Sequence, residues 1–431
     1  MEYYSLNNRK RTTSFKEAVV QGIAPDRGLY VPEKIIRLPH GFFEDIHTLG
    51  HHEIAFRAIH QFVEEDIPEM VLREMLEKVL DFDFPVVPIE ENISTLELFH
   101  GPTMAFKDVG ARFMAHCLGY FSQGENSEVT VLVATSGDTG GAVANGFLGV
   151  DGVNVVILYP SGKVSHIQEK QLTTLGQNIV AMEVEGTFDD CQTMVKKAFL
   201  DADIVEKQKL TSANSINVAR WLPQLFYFLF AYKAMQSKNN SLIFSVPSGN
   251  FGNICAGMVA QKLGMPVKHF IASTNANDVV PKFMKTGAYS PKPSLATISN
   301  AMDVGDPSNF IRIRHLYNND FNTLQENLSS YAFNDDETRK AMSHLFTESN
   351  YVADPHGAVG YLGLKKYQEL HPDTQGIFLE TAHPVKFLDV VKETLGIDVA
   401  IPPQIEKVLH KTKHSIKIAT YHELKSYLLE R

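Results

Sequence analysis

Apolar and polar positions change rhythm along this 431-residue chain. Through residues 1 to about 85, apolar residues recur at helical spacing among many charges. In HHEIAFRAIHQFVEEDIPEMVLREMLEKVLDFDF, Ile54, Ala58 and Phe62, then Met70, Leu72 and Leu76, form the stripes of amphipathic helices. The segment DFDFPVVPIE, with Pro85 and Pro88, reads as a junction. From about 128 onward, the runs EVTVLVAT, VNVVILYP, NIVAMEVE, SLIFSVP, PVKHFIAS and GIFLET are near-continuously apolar, as in strands covered on both faces. Helical patterns such as GGAVANGFLG, SHIQEKQLTTLG and DDCQTMVKKAFL separate them, so the repeat of strand, loop and helix predicts parallel sheets with right-handed crossovers. WLPQLFYFLFAY at 221 to 232 is too short to span a bilayer and reads as a buried helix. Beyond about 400 the Lys-rich, amphipathic sequence reads as a peripheral helical tail.

Composition narrows the partners rather than the fold. At 44% hydrophobic and 21% charged residues the chain is an ordinary globular one, long enough for two or three domains. Its formal net charge of -10 argues against nucleic acid or an anionic membrane surface, and NRKR near the N-terminus is a solitary basic run. Cys117, Cys191 and Cys255 are widely spaced with no CxxC, which fits a reducing compartment and predicts no metal centre. MEYYSLNNRK lacks a signal-peptide core, so a cytoplasmic setting is expected. HHE at 51 to 53 is no zinc motif, because Phe56 stands where a second His is required. His383, alone before Pro384, reads as a structural histidine or, by type alone, as an acid or base.

Three segments carry chemistry. In SLIFSVPSGNFGNICAGMVA a strand runs into Gly249, Asn250, Phe251, Gly252 and Asn253 before a helix begins, a geometry that turns backbone N–H groups and a helix N-terminus toward an anion, phosphate above all. EVTVLVATSGDTGGAVANGF repeats the arrangement with hydroxyls added at Ser136 and Thr139 and a carboxylate at Asp138, suiting a carboxylate or phosphate ligand. Each loop alone is equally a tight turn or an ordinary N-cap. Lys107, in LFHGPTMAFKDVG, has apolar flanks that would desolvate its amine, although Asp108 could pair with it as a structural lysine. A buried amine beside two anion-cradling loops is the equipment of a pyridoxal-phosphate enzyme.

The segments TLELFHGPTMAFKD, VATSGDTGGAVANGF, ILYPSGKVSHIQEKQLTTLG, TSANSINVAR, SVPSGNFGN, TNANDVVP, TISNAMDVGDPSNF and LETAHPVKF, in this order, resemble the bacterial and fungal threonine synthase family. The resemblance covers nearly the whole chain. It implies a fold-type-II (tryptophan synthase β-like) α/β architecture of two parallel-sheet αβα domains and a small helical N-terminal domain. The boundaries would be 1–88 for the N-terminal domain, 89–127 with 205–400 for a large cofactor domain and 128–204 for a small domain, with 401–431 as a tail packing on the large domain. It implies conversion of O-phospho-L-homoserine and water to L-threonine and phosphate on pyridoxal 5'-phosphate. Lys107 would be the Schiff-base lysine, Gly249 to Asn253 the phosphate cup, and Thr381 the hydroxyl partner of the pyridine nitrogen. Ser136, Asp138 and Thr139 would hold the substrate carboxylate, while Lys163, Asn217 and Arg220 are candidates for its phosphate. A monomer or weak homo-oligomer is expected. Rival readings are a serine/threonine dehydratase, a cysteine-synthase-like enzyme, or a non-catalytic cofactor-binding homologue.

Overall fold

Each of the six apolar runs forms a strand, and alternation explains why each is near-continuously apolar. In Val129–Ala134, Val131 and Val133 join one hydrophobic core while Leu132 and Ala134 join another. In Leu242–Pro247, Phe244 and Val246 face the first core and Ile243 a third. Successive strand side chains point to opposite faces, so cover on both sides favours apolar residues in both registers.

The computed structural model describes residues 1–124, 128–235 and 241–430. Residues 125–127, where one expected boundary falls, and Arg431 at the end of the tail lie outside the described residues. The larger sheet has the order Leu328–Ala332, His269–Thr274, Leu242–Pro247, Gln375–Glu380, Ile93–Glu97, Val86–Glu90, parallel except for its last pair. The smaller sheet has the order Ile416–Ile418, Ile179–Val184, Val153–Pro160, Val129–Ala134, Lys209–Ser212, all parallel. In both, chain order reverses: the strands after Leu242–Pro247 build outward on one side while Gln375–Glu380 returns on the other, and Val129–Ala134 is flanked by Val153–Pro160 and Lys209–Ser212. Such reversals open a crevice beyond the carboxyl ends of the strands. The helix Leu225–Met235, apolar on nearly every side, is buried in the core that joins the N-terminal helices to the larger sheet.

Several expectations are corrected. The N-terminal region is not purely helical, since Tyr3–Ser5, Asn8–Thr13 and Tyr30–Pro32 form an antiparallel sheet beside its helices. Pro85 and Pro88 do not mark a bare junction: Val86–Glu90 is an edge strand, where proline can sit without removing a ladder bond. Lys209–Ser212 completes the smaller sheet rather than opening the large domain. The tail packs mainly on the smaller sheet, because Ile416–Ile418 pairs with Ile179–Val184 and Ile418, Leu424 and Leu428 fill that sheet's core; its first helix, through Ile405, also meets Met104 and Val385 of the large domain. Met70 is 72% exposed. It sits off the stripe that Leu72, Met75, Leu76 and Val79 bury from the helix Glu69–Val79. No described helix is long and apolar enough to cross a membrane.

Leu428→Ala is expected to cost about 2–5 kcal/mol of stability in urea unfolding through loss of a buried side chain. Met70→Ala should stay within about 0.5 kcal/mol.

Candidate active site

Three adjacent strand ends of the larger sheet deliver the chemistry to one cavity of about 500 Å³. Leu242–Pro247 runs into the Gly249–Asn253 loop, Gln375–Glu380 runs into Thr381, and Ile93–Glu97 leads to Lys107. Backbone pairing fixes the last two together: Phe106 N–H donates to Thr381 O at 2.8 Å and Ala105 forms a bridge with Ala382. Across the cavity, the smaller sheet contributes the loop after Val129–Ala134.

The Gly249–Asn253 loop has the geometry of an anion cradle. Phe251 takes a left-handed conformation (φ 63°) and the helix Gly252–Lys262 starts there. Among the described residues, no N–H from Gly249 to Asn253 donates to a protein acceptor, so these donors and the positive helix end converge without a partner. Gly249 is required by close approach, since a Cβ would lie 2.8 Å from Ala301 O and 2.9 Å from Met302 Cα.

The opposite loop is tied by Thr135, whose Oγ1 accepts from Gly137 N–H at 2.9 Å and Gly140 N–H at 2.8 Å. Gly137 has φ 137°, open only to glycine. The N–H groups of Ser136, Asp138 and Thr139 have no protein acceptor among the described residues, and Ser136 and Thr139 line the cavity.

Lys107 faces this cavity with no hydrogen-bond or ion-pair partner for Nζ among the described residues; the Phe106 ring centroid is 5.7 Å away. Removal from bulk water, opposed by the attraction of Asp138 and reinforced by the nearby charges of Arg220 and Lys386, lowers its pKa to about 8. The structural-lysine alternative fails, because Asp108 accepts instead from Thr103 N–H at 2.9 Å and from the Thr103 hydroxyl.

The candidate residues all line the cavity except Asp138 and Asn217. The Asp138 carboxylate turns away to a buried ion pair with Lys386 at 2.7 Å and accepts from Gln168 Nε2 at 3.0 Å. Burial would raise its pKa, but the two nearby ammonium groups win and hold it far below the usual range. Asn217 caps the short helix Val218–Trp221, and its amide donates to Val19 O at 2.9 Å and Ser212 O at 3.1 Å, leaving nothing for substrate. Arg220 is nearly fully buried, bonds Ala213 O, leaves its Nε without a partner and has its pKa pushed by burial down to about 10. His383 caps the turn Pro384–Phe387 through Val385 N–H, and burial takes its pKa to about 4. Sequence reasoning missed Lys386 and His356; the only local signal for His356 was an Asp-Pro-His helix start, which reads as capping.

Pyridoxal phosphate fits these residues: unpartnered amides for its phosphate, a cavity-facing amine lowered toward neutrality, and a neutral hydroxyl at Thr381. Fold and site together define a pyridoxal-phosphate-dependent enzyme. The family model described as pyridoxal-phosphate dependent enzyme matches residues 94–379, with threonine synthase N-terminus and C-terminal models matching 2–80 and 357–427. Threonine synthase of Escherichia coli (strain K12) is 42% identical over 94% of each chain, and that of Saccharomyces cerevisiae is 35% identical over 90% of this chain and 87% of its own. The crystal structure of threonine synthase from Escherichia coli matches all of both chains with a TM-score of 0.94 at 40% identity. Pyridoxal-phosphate-bound threonine synthase from Brucella melitensis matches at 0.93 and 30%, covering 100% of this chain and 99% of that one. The chain belongs to the threonine synthase family and is a pyridoxal-phosphate-dependent lyase of amino-acid biosynthesis.

Asp138→Asn, which strands the Lys386 ammonium in the interior, is expected to cost about 3–5 kcal/mol at neutral pH in denaturant unfolding. Because the folded pKa of Asp138 is depressed, its contribution is present above the ordinary carboxylate pKa and fades as pH falls below it. The gap between the wild type and Asp138→Asn should therefore narrow in acid.

Proposed function

We propose that the chain converts O-phospho-L-homoserine and water to L-threonine and phosphate, with Lys107 as covalent anchor and proton carrier. The observation that carries this reading is an unpartnered amine of pKa about 8 set between an anion cradle and a second donor-rich loop. Bound pyridoxal phosphate supplies a carbonyl for Lys107 to capture and a ring that takes up the electron pairs left behind by departing protons.

Everything else is the chain's own work. The amides of Gly249 to Asn253 hold the cofactor phosphate, and Thr381 offers its hydroxyl to the pyridine nitrogen. A neutral hydroxyl leaves that nitrogen largely unprotonated. Ser136 and Thr139, with the unpartnered N–H groups of their loop, hold the substrate carboxylate. Lys163 and Arg220 give positive charge to the γ-phosphate as it leaves; Asp138 and Asn217, engaged elsewhere, do not contact substrate through their side chains. Once released from the cofactor, the Lys107 amine takes the protons from Cα and then Cβ, returns one to Cγ after phosphate departs and the other to Cα. Water adds at Cβ to give the hydroxyl of threonine, and its remaining proton leaves with the phosphate. Repeated transfer by one amine needs a pKa near the working pH, which burial provides here. We place the enzyme in the cytoplasm as a monomer or weak homo-oligomer; its three buried, unpaired cysteines suit a reducing compartment.

Purified enzyme given O-phosphohomoserine is expected to release phosphate and threonine in equal amounts, measured by phosphate assay and amino-acid analysis. Lys107→Ala should abolish turnover. Accumulation of 2-oxobutyrate, or wild-type turnover in Lys107→Ala, would reject this reading.

A further inference from the structure

A buried chain of acid, acid and imidazole runs from the larger sheet to the rim of the cradle. Glu380, the last residue of the strand before Thr381, is fully buried, as is Asp354. Glu380 Oε1 accepts from Asp354 N–H at 2.5 Å. Asp354 caps the helix Pro355–Gln368, and its Oδ1 accepts from both His356 N–H and His356 Nδ1 at 2.6 Å. On the far side of the ring, His356 Nε2 accepts from Ala301 N–H at 3.2 Å. Ala301 lies in the turn Asn300–Met302, whose backbone packs directly against Gly249 of the cradle.

Two observations fix the protons in this chain. Nε2 accepts from an amide, so the imidazole is neutral and carries its proton on Nδ1, which donates to Asp354. Asp354 Oδ2 and Glu380 Oε2 are buried oxygens without a donor, while the two carboxyls are hydrogen-bonded neighbours. One proton on Glu380, donated to Asp354, satisfies both oxygens; two carboxylates in that space would satisfy neither and would repel. Burial, the charge of Asp354 and that of Glu97 push the Glu380 pKa upward and outweigh the hydrogen bond from Asp354 N–H, which lowers it. Gly357 leaves the room for this arrangement, since a Cβ there would lie 1.5 Å from Glu380 Oε2.

We infer that protonated Glu380, Asp354 and His356 act as a positioning chain that clamps the Asn300–Met302 turn onto Gly249 and so holds the cradle in its phosphate-binding shape. His356 is a positioning residue for the cofactor phosphate and not a proton donor to substrate. This rests on the cradle's assignment to that phosphate under the proposed function.

The test compares apoenzyme affinity for pyridoxal phosphate with affinity for pyridoxal, which has the same carbonyl but no phosphate, both followed by absorbance. His356→Asn keeps a donor near Asp354 but cannot reach Ala301. It is expected to weaken pyridoxal phosphate about tenfold, the worth of one hydrogen bond's positioning, and to leave pyridoxal within about twofold. Asp354→Ala should do the same or worse. Glu380→Gln reproduces the protonated acid, an acceptor toward Asp354 N–H and a donor toward Oδ2, and should match wild type for both ligands, whereas Glu380→Ala should not. Circular dichroism identifies any variant that fails to fold, and Glu380→Gln then serves as the conservative variant that retains function. Equal loss for both ligands in His356→Asn, no loss in it, or a defect in Glu380→Gln as large as in Glu380→Ala would overturn the inference. If wild-type enzyme bound pyridoxal phosphate no better than pyridoxal, the cradle assignment itself would fall instead.

Discussion

The site depends on keeping one amine unpaired in the presence of two carboxylates. Lys107 is followed directly by Asp108 and feels the attraction of Asp138, and a close ion pair with either would fix it as an ammonium. Both are taken. Asp108 is committed to the backbone and hydroxyl of Thr103, and Asp138 to Lys386 and Gln168. What remains is desolvation, aided by the charges of Arg220 and Lys386 and opposed by the pull of Asp138, and the amine settles near the pH at which it can both take and return protons.

The same engagements hold the two sheets around the cavity. Lys386 sits in the turn Pro384–Phe387, a few residues after Thr381, and reaches across to the loop of the smaller sheet. Its Nζ also donates to Thr103 O at 2.9 Å, the oxygen that accepts from Gln171 Nε2 at 3.0 Å. The Lys107 loop, the Thr381 segment and the smaller sheet thus meet at one carbonyl. On the proposed reading, the segment from Glu380 to Lys386 would serve three purposes at once: the acid that supports the cradle rim, the hydroxyl for the cofactor ring, and the cation that occupies Asp138. Donors fixed before substrate arrives need no reorganisation during reaction, which is where such a site gains its rate.

How much of this could be read from the sequence follows from how local each feature is. The cradle and the TSGDTG loop were legible because glycines and small polar residues come directly after an apolar strand, and the fold then has one way to use them. Lys107 stood out by its apolar flanks. Its meeting with Thr381 was legible only through the family resemblance and not from local pattern, because it depends on Ile93–Glu97 pairing with Gln375–Glu380, and the first of these strands is masked by prolines and charges around the hairpin. Asp138 and Asn217 were read as substrate contacts from the family resemblance; whether a polar side chain is already satisfied inside the protein is a tertiary property. Lys386 and His356 were missed for the same reason in reverse. The tail strand Ile416–Ile418 is three residues long at a sheet edge and carries no period of its own.

The account's central claim is that Lys386 keeps Asp138 away from Lys107. Its most direct test is the titration of Lys107 by NMR of side-chain-labelled apoenzyme, in the wild type and in Lys386→Met. The wild-type pKa is expected at about 8. Lys386→Met both frees the Asp138 carboxylate and removes a neighbouring cation, so the Lys107 pKa should rise by one unit or more, about 1.4 kcal/mol per unit. An unchanged or lower pKa in Lys386→Met, or a wild-type value at that of an ordinary lysine, would contradict the account.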